Sequence, residues 1–387
     1  MWRRPGQNFQ IARIFGIRIG VGLSWFFVLF FYIVWLSPYF HDVLGGSETK
    51  AYGLAVASAL AFFASIVLHE LGHALAARRE GIPVERIDLW FLGGIAQMRG
   101  EPQSPGAELR IAGAGPLVTL AIIGLGIGAG ELLQSGHFLD VATAQQGNYT
   151  VSPGLALVGW LTSINVLVFV FNLVPAFPLD GARIARAAVW WRTGDRNRGT
   201  RVTGHIGRGF AFLVGAGGLL LLEGGNSNGI IPLFMALFIY QNASAALMTS
   251  NLSDRLSAVR VGDIMDRDPV TVPADTPLLT AQDEFFLRYR WPWFAVVDGA
   301  KHFVGLVRSD RVDAEIEAGR PALSVGDVVD PGDLGAQVDE NASLETLLTS
   351  EALGRLGAVF VVDGSGALRG VVTADQVRRA LGAATRR

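Results

Sequence analysis

The chain contains no cysteine. That excludes a disulfide framework, a cysteine-ligated zinc site and a thiol nucleophile, so any metal it holds must be bound by histidine and carboxylate. Histidine is scarce as well, with six in 387 residues. Charge is thin: 17% of the residues are Asp, Glu, Lys or Arg, where a soluble domain has about a quarter. With half of its residues apolar, the chain is not a single water-soluble globule. The net charge of −2 excludes nucleic-acid binding driven by bulk charge. The shortage of charge is also uneven. Residues 1–250 carry 17 Lys/Arg and 13 Asp/Glu, a net of +4, and residues 251–387 carry 15 and 21, a net of −6. An apolar, arginine-biased front joined to an acidic, more ordinary tail reads as a membrane domain followed by a soluble one.

The N-terminal region lacks the marks of a cleaved signal peptide. Ile19–Leu36 is 18 uncharged residues, longer than an h-region, with no A-x-A-like site after it, and reads as a retained span. Five further apolar segments follow at Ala51–Leu68, Ile111–Leu133, Leu155–Asn172, Val202–Leu222 and Ile230–Met248. The fifth of the six is the weakest, because His205 and Arg208 interrupt its start and Gly215, Gly217 and Gly218 dilute it. Six spans is the expectation, five the alternative. Arginine is missing from alternate loops: none lies in His41–Lys50, Gln134–Ser152 or Glu223–Asn228. Arg3, Arg4, Arg13, Arg18, Arg78, Arg79, Arg86 and the run from Arg183 to Arg201 all fall on the other side. By the positive-inside rule that side is cytoplasmic, which places both termini there and the chain in the plasma membrane as a multi-pass protein. Val84–Met98, broken by Gly93-Gly94, has strand-like composition and reads as a hairpin or loop beside the membrane.

The tail carries an internal repeat of about 65 residues. Val261-Gly262-Asp263 returns as Val325-Gly326-Asp327, Phe294-Ala295-Val296-Val297-Asp298-Gly299 as Phe360-Val361-Val362-Asp363-Gly364, and Gly305-Leu306-Val307 as Gly370-Val371-Val372. The doubled pattern resembles a tandem pair of cystathionine-β-synthase-type (CBS) domains, a regulatory module. The expected organisation is a polytopic α-helical membrane domain over residues 1–249, a linker over 250–257, and a soluble α+β CBS pair over 258–387, with repeats at about 258–318 and 322–383.

The residues that carry chemistry begin with His69-Glu70-Leu71-Gly72-His73 at the end of the second span. Four residues apart on a helix, both imidazoles reach one metal ion, and Glu70 stands beside the first as a general base. Ionisable groups in an apolar span are functional by default. A zinc site that works on water needs a third protein ligand, and His41, His137, His205 and His302 are poorly placed to be it. The best candidate is Asp180, which closes Asn172-Leu173-Val174-Pro175-Ala176-Phe177-Pro178-Leu179-Asp180-Gly181. Pro175 and Pro178 break the helix there, and unwound backbone near membrane depth is tolerated only where it is buried or lines a wet cavity.

An HExxH at the end of one span and N-x-x-P-x-x-P-L-D-G at the end of a later one resemble the site-2 protease family of intramembrane zinc metalloproteases, over about residues 10–245. The resemblance implies one Zn2+ per chain held by His69, His73 and Asp180, Glu70 as the catalytic glutamate, and Asn172 as the Asn that opens the second motif. Asn165, one heptad earlier, is either a polar substrate contact or an interhelical packing residue. Gly93 and Gly94 either hold an extended substrate strand by edge pairing or form a structural hairpin. Gly115-Pro116-Leu117 resembles the family's Gly-Pro element, but Thr119 stands where Asn is expected, and Ala182 where a second Gly is frequent. The implied partners are transmembrane protein substrates and the lipid bilayer, with nucleic acid excluded. A transporter would scatter charged residues over several spans, and a catalytically dead relative would not keep His69, Glu70, His73 and Asp180 intact. In the CBS pair, Arg308 and Arg311 stand at the first repeat's expected hydroxyl and ribose-binding positions and Gln376 at the second's, although Thr373 is retained. Adenine nucleotide binding is therefore disfavoured, and a packed lid, with homodimerisation through the pair as an option, is the expected role.

Overall fold

The computed structural model describes residues 9–44, 46–90, 93–133, 152–329, 335–348 and 350–386. Arg3, Arg4, His137 and the loop at 134–151 lie outside the described residues. Two compact units divide the chain, Met1–Met248 and Thr249–Arg387.

Six helices in the described residues are long and apolar enough to cross a membrane. They are α1 (Leu23–Val43), α2 (Glu48–Arg79), α3 (Pro105–Leu133), α4 (Pro153–Asn172), α6 (Arg196–Glu223) and α7 (Ile230–Ala258), with the shorter α5 (Asp180–Thr193) between α4 and α6. The chain is thus a multi-pass membrane protein. The first span starts at Leu23 rather than Ile19 because Ile17–Val21 is a strand. This strand, β2, pairs antiparallel with β1 (Phe9–Ile14) and parallel with β3 (Val84–Trp90), which pairs antiparallel with β4 (Gly93–Met98). The β1–β2 turn is Phe15-Gly16, both at positive φ. After Arg18, β2 is uncharged and runs on into α1, so composition alone merges Ile19–Val21 with the span. Its alternation settles the matter: Ile17, Ile19 and Val21 are at most 1% exposed. Ile17 and Val21, with Ile87 and Leu89 of β3, pack on Phe63, Leu71 and Ala74 of α2. The sheet is thereby seated on the helix that carries the histidines.

α6, the weak segment of the sequence, is a full-length helix, and several of its glycines are contact points. A Cβ at Gly204 would lie 2.7 Å from Leu247, and one at Gly218 would lie 2.8 Å from the Gly229 carbonyl. Small residues let membrane helices approach closely. Arg208 is satisfied by α7, where its guanidinium lies 5.0 Å from the Tyr240 ring and donates to its hydroxyl at 3.1 Å. The polar stretch 250–257 continues α7 as helix to Ala258.

In the second unit each repeat forms one three-stranded sheet. The first is β5 (Thr271–Pro273), β6 (Trp293–Val297) and β7 (Phe303–Arg308), and the second β8 (Gln337–Asp339), β9 (Ala358–Val362) and β10 (Leu368–Thr373). β7 leads into α9 (Ser309–Glu317) and β10 into α11 (Ala374–Arg386). The short β5 and β8 were not legible in the sequence. The Val-Gly-Asp copies open α8 (Val261–Ile264) and α10 (Val325–Val328), and each docks on the other repeat. The amides of Val261 and Gly262 donate to Ala342 and Glu340 at 2.9 Å, and those of Val325 and Gly326 donate to Thr276 and Ala274 at 2.8 and 2.7 Å. The motif is explained position by position. The valines are fully buried, the glycines admit the partner carbonyl, and Asp263 and Asp327 accept from the Arg260 and Ser324 amides as caps.

Phe360, fully buried and stacked on Phe303 with ring centroids 4.7 Å apart, joins the two repeats' strands in one core. Phe360→Ala is expected to cost about 3–5 kcal/mol of this unit's stability. Hydrogen exchange of the full chain in detergent reads this as lost protection in β9 and β10; wild-type protection there would contradict the assignment.

Candidate metal centre

His69 and His73 lie one turn apart on α2 and are 6% and 4% exposed. Asp180, the first residue of α5, is 9% exposed and enters from the other side of the unit's interior. Its Oδ2 lies 3.1 Å from the Nε2 of each histidine, and the two Nε2 atoms are 3.1 Å apart. This is the one group of three or more His, Cys, Asp or Glu among the described residues that could hold a metal.

The other face of each ring fixes its tautomer. His73 Nδ1 donates to the Ile111 carbonyl at 2.7 Å. Thr119 gives its own proton to the Gly115 carbonyl at 3.3 Å, so its oxygen accepts from His69 Nδ1 at 2.8 Å. Both Nε2 lone pairs therefore face one another and a carboxylate, and a shared cation relieves that arrangement. Ligands about 2.0–2.1 Å from a tetrahedral metal sit roughly 3.3 Å apart, so two imidazoles and one carboxylate at 3.1 Å fit zinc in donor type and in spacing. Such outer hydrogen bonds orient metal-binding histidines.

Small residues make the room. A Cβ at Gly115 of α3 would stand 2.6 Å from His73 Cε1 and 2.8 Å from His69 Cε1. Gly72, inside the histidine motif, faces the Ala114 carbonyl, where a Cβ would meet it at 2.9 Å, and so allows α2 and α3 to touch. Between α4 and α5 the chain turns through Leu173–Leu179, with the amides of Ala176 and Leu179 donating to Val174 and Ala176. The Gly after Asp180 is required by the same turn, because a Cβ at Gly181 would fall on the carbonyls of Leu173 and Val174. Ala182 is fully buried with its methyl accommodated.

Glu70 of α2 packs against β4: a Cβ at Gly94 would clash with its Cγ and stand 3.0 Å from its Cδ. The carboxylate is close enough to His69 and Asp180 to interact with both electrostatically. Gly94 thus touches the glutamate, while Gly93 opens the strand, paired with Trp90. Asn165 is 2% exposed and donates to the Leu161 carbonyl of its own helix at 2.8 Å. Asn172 is the half-buried last residue of α4. The Ile111 carbonyl escaped the sequence reading because a backbone group has no residue signature. Thr119 had one only through its place after Gly115-Pro116.

Comparison with known proteins follows the same two regions. The family model described as Peptidase family M50 matches residues 57–215, and the CBS domain model matches residues 261–317. The chain is 31% identical to the Rip3 protein of Mycobacterium tuberculosis over 372 residues, which cover 95% of this chain and 91% of that protein. It is 31% identical to zinc metalloprotease MJ0392 of Methanocaldococcus jannaschii over 319 residues, 82% of this chain and 83% of the relative. The solved site-2 protease from Methanocaldococcus jannaschii aligns at 30% identity and a TM-score of 0.39, over 62% of this chain and 95% of that one.

Gly115→Ala is expected to push the imidazoles apart and lower metal affinity at least tenfold. Gly113→Ala, on the same helix with nothing within 4 Å of the new methyl, is expected to leave it unchanged. Equal metal affinity of the two purified variants, by competition with a chelator, would refute the proposed role of the Gly115 cradle.

Proposed function

The chain belongs to peptidase family M50, the site-2 proteases, and is a zinc-dependent metalloprotease with a CBS-domain tail; on that premise we propose that it hydrolyses peptide bonds of membrane-spanning substrates near the cytoplasmic side, with His69, His73 and Asp180 as the zinc ligands and Glu70 as the catalytic base. The observation that carries the reading is the meeting of two Nδ1-anchored imidazoles and a buried carboxylate at 3.1 Å, with Glu70 next to the first of them in sequence. When bound, zinc supplies Lewis acidity that activates water near neutral pH and polarises a carbonyl. Glu70 takes the proton from the attacking water and delivers it to the leaving amine. Thr119 and the Ile111 carbonyl keep both rings in the Nδ1–H form. One zinc per chain is the reading that the one such cluster among the described residues supports.

A substrate helix hides its carbonyls in its own hydrogen bonds and must be extended before attack. β4 is the edge of its sheet and passes Glu70 at Gly94, so its outer backbone groups are suited to hold an extended segment as an added strand. The side of action follows from chain order. His73 lies six residues, about 9 Å, from the end of α2, and Ile111 lies the same distance from the start of α3. Asp180 follows the end of α4. These three ends share a side with Arg13, Arg18, Arg78, Arg79 and Arg86, the cytoplasmic side by the arginine bias. We read the CBS pair as a regulatory lid, open to homodimerisation, rather than a nucleotide sensor. Gln376 Oε1 accepts from the Thr373 amide and hydroxyl at 2.7 and 3.0 Å, and Arg308 Nε is paired with Asp310 at 3.2 Å, so these groups satisfy each other.

Glu70→Gln is expected to keep zinc and lose about 10²–10⁴-fold in turnover of a reconstituted transmembrane substrate. Asp180→Ala is expected to lose zinc as well as activity. Wild-type turnover in the first variant would remove Glu70 from the chemistry, and a full zinc equivalent at unchanged affinity in the second would move the third ligand elsewhere.

A further inference from the structure

Among the described residues, the most deeply buried carboxylate of the first unit takes no part in this chemistry. Glu108, in the first turn of α3, is 0% exposed. Its Oε1 accepts from Arg186 of α5 through Nε at 2.9 Å and also through Nη2, and Arg196 of α6 stands 3.8 Å from its Oε2. A buried ion pair is weak evidence for stability, since desolvation offsets most of the attraction, so its location is the informative feature. On α3, Glu108, Ile111, Gly115 and Thr119 are spaced by three, four and four residues and form one stripe. That stripe carries the carbonyl that orients His73, the glycine that admits both rings and the hydroxyl that orients His69. On α5, Arg186 lies six residues, about 9 Å, from Asp180. Its guanidinium also sits 5.6 Å from the centroid of Phe177, in the turn that delivers Asp180. The surroundings are shaped to it: a Cβ at Gly199 of α6 would stand 2.7 Å from the Arg186 carbonyl and 3.1 Å from its Cγ.

We propose that Glu108 and Arg186 are positioning residues of the metal centre, whose ion pair fixes α3 against α5 so that the histidine-orienting stripe and Asp180 meet at one point. The inference rests on reading His69, His73 and Asp180 as the zinc ligands. The pair touches neither metal nor substrate and acts through the two helices that carry the ligand and its supports. Arginine is the fitting cation, because its planar guanidinium brings two nitrogens to one carboxylate oxygen.

The test is the rate at which the zinc-loaded full chain in detergent surrenders zinc to excess chelator, with the visible spectrum of the cobalt-substituted protein as a second readout. Glu108→Gln and Arg186→Gln are expected to release zinc about 10–100-fold faster, the range for outer-shell partners, and to shift the cobalt bands. Arg186→Lys, which keeps the charge, is expected to fall between. Arg110→Gln removes an exposed ion pair with Glu80 from the same helix and is expected to behave as wild type. Where a single change prevents folding, the Glu108→Gln/Arg186→Gln pair, which buries no uncompensated charge, and Arg186→Lys are read instead. Wild-type release and spectra in every folded member of the series would overturn the proposal, as would equal acceleration by Arg110→Gln. His73→Ala separates the two readings: if it too releases zinc at the wild-type rate, it is the ligand assignment that has failed.

Discussion

Two imidazole nitrogens and a carboxylate oxygen facing one another across 3.1 Å in the interior of a membrane domain are the constraint on which the rest of the first unit depends. With both rings protonated at Nδ1, the three atoms repel one another until a cation is shared between them, and none is held there by its own helix alone. His69 and His73 need hydrogen-bond partners on their far nitrogens, which only α3 supplies. Asp180 needs a chain that leaves the membrane helix early and returns, which the Pro175–Pro178 turn and α5 supply. The sheet on α2 completes the set by bringing β4 beside Glu70. Each element is placed by what one of four side chains requires.

Glycine is the means by which these requirements are met at once. Gly72, Gly94, Gly115 and Gly181 each stand where a single methyl would collide with a neighbouring helix, the glutamate, the imidazoles or the backbone of the turn. None of the four is at positive φ, so their role is space and not backbone freedom. In a bilayer, where apolar burial gives helices little reason to associate, close approach is itself a source of attraction. The same glycines that make room for the site therefore help to hold its walls together.

Much of this was legible in the sequence because its signals are local. The apolar lengths gave six spans, the 69–73 spacing gave a shared helix face, and the doubled Val-Gly-Asp gave the repeat. What was not legible is carried by contacts between distant segments. The end of β2 was absorbed into the first span because its residues after Arg18 are uncharged like the helix they run into, and its pairing with β3 spans more than sixty residues. The exchange of α8 and α10 between the repeats is invisible in either copy alone. The carbonyl of Ile111 has no side-chain signature. Glu108 and Arg186 were missed for a different reason: Glu108 is a charge in the first turn of an apolar helix and Arg186 one of several arginines in the run after α4, and only their meeting makes them unusual.

That meeting bears on how a hydrolytic site can exist at membrane depth. The centre needs water and a proton-accepting carboxylate, so the surrounding protein must be open enough to admit both a substrate strand and solvent. An open site is prone to loosen, and Asp180 arrives on a short helix that spans nothing and so has no bilayer to fix its height. A buried, two-nitrogen ion pair to the foot of α3 supplies that reference. It is directional where apolar packing is not, and it ties the helix that brings Asp180 to the helix whose carbonyl and hydroxyl meet the two imidazoles.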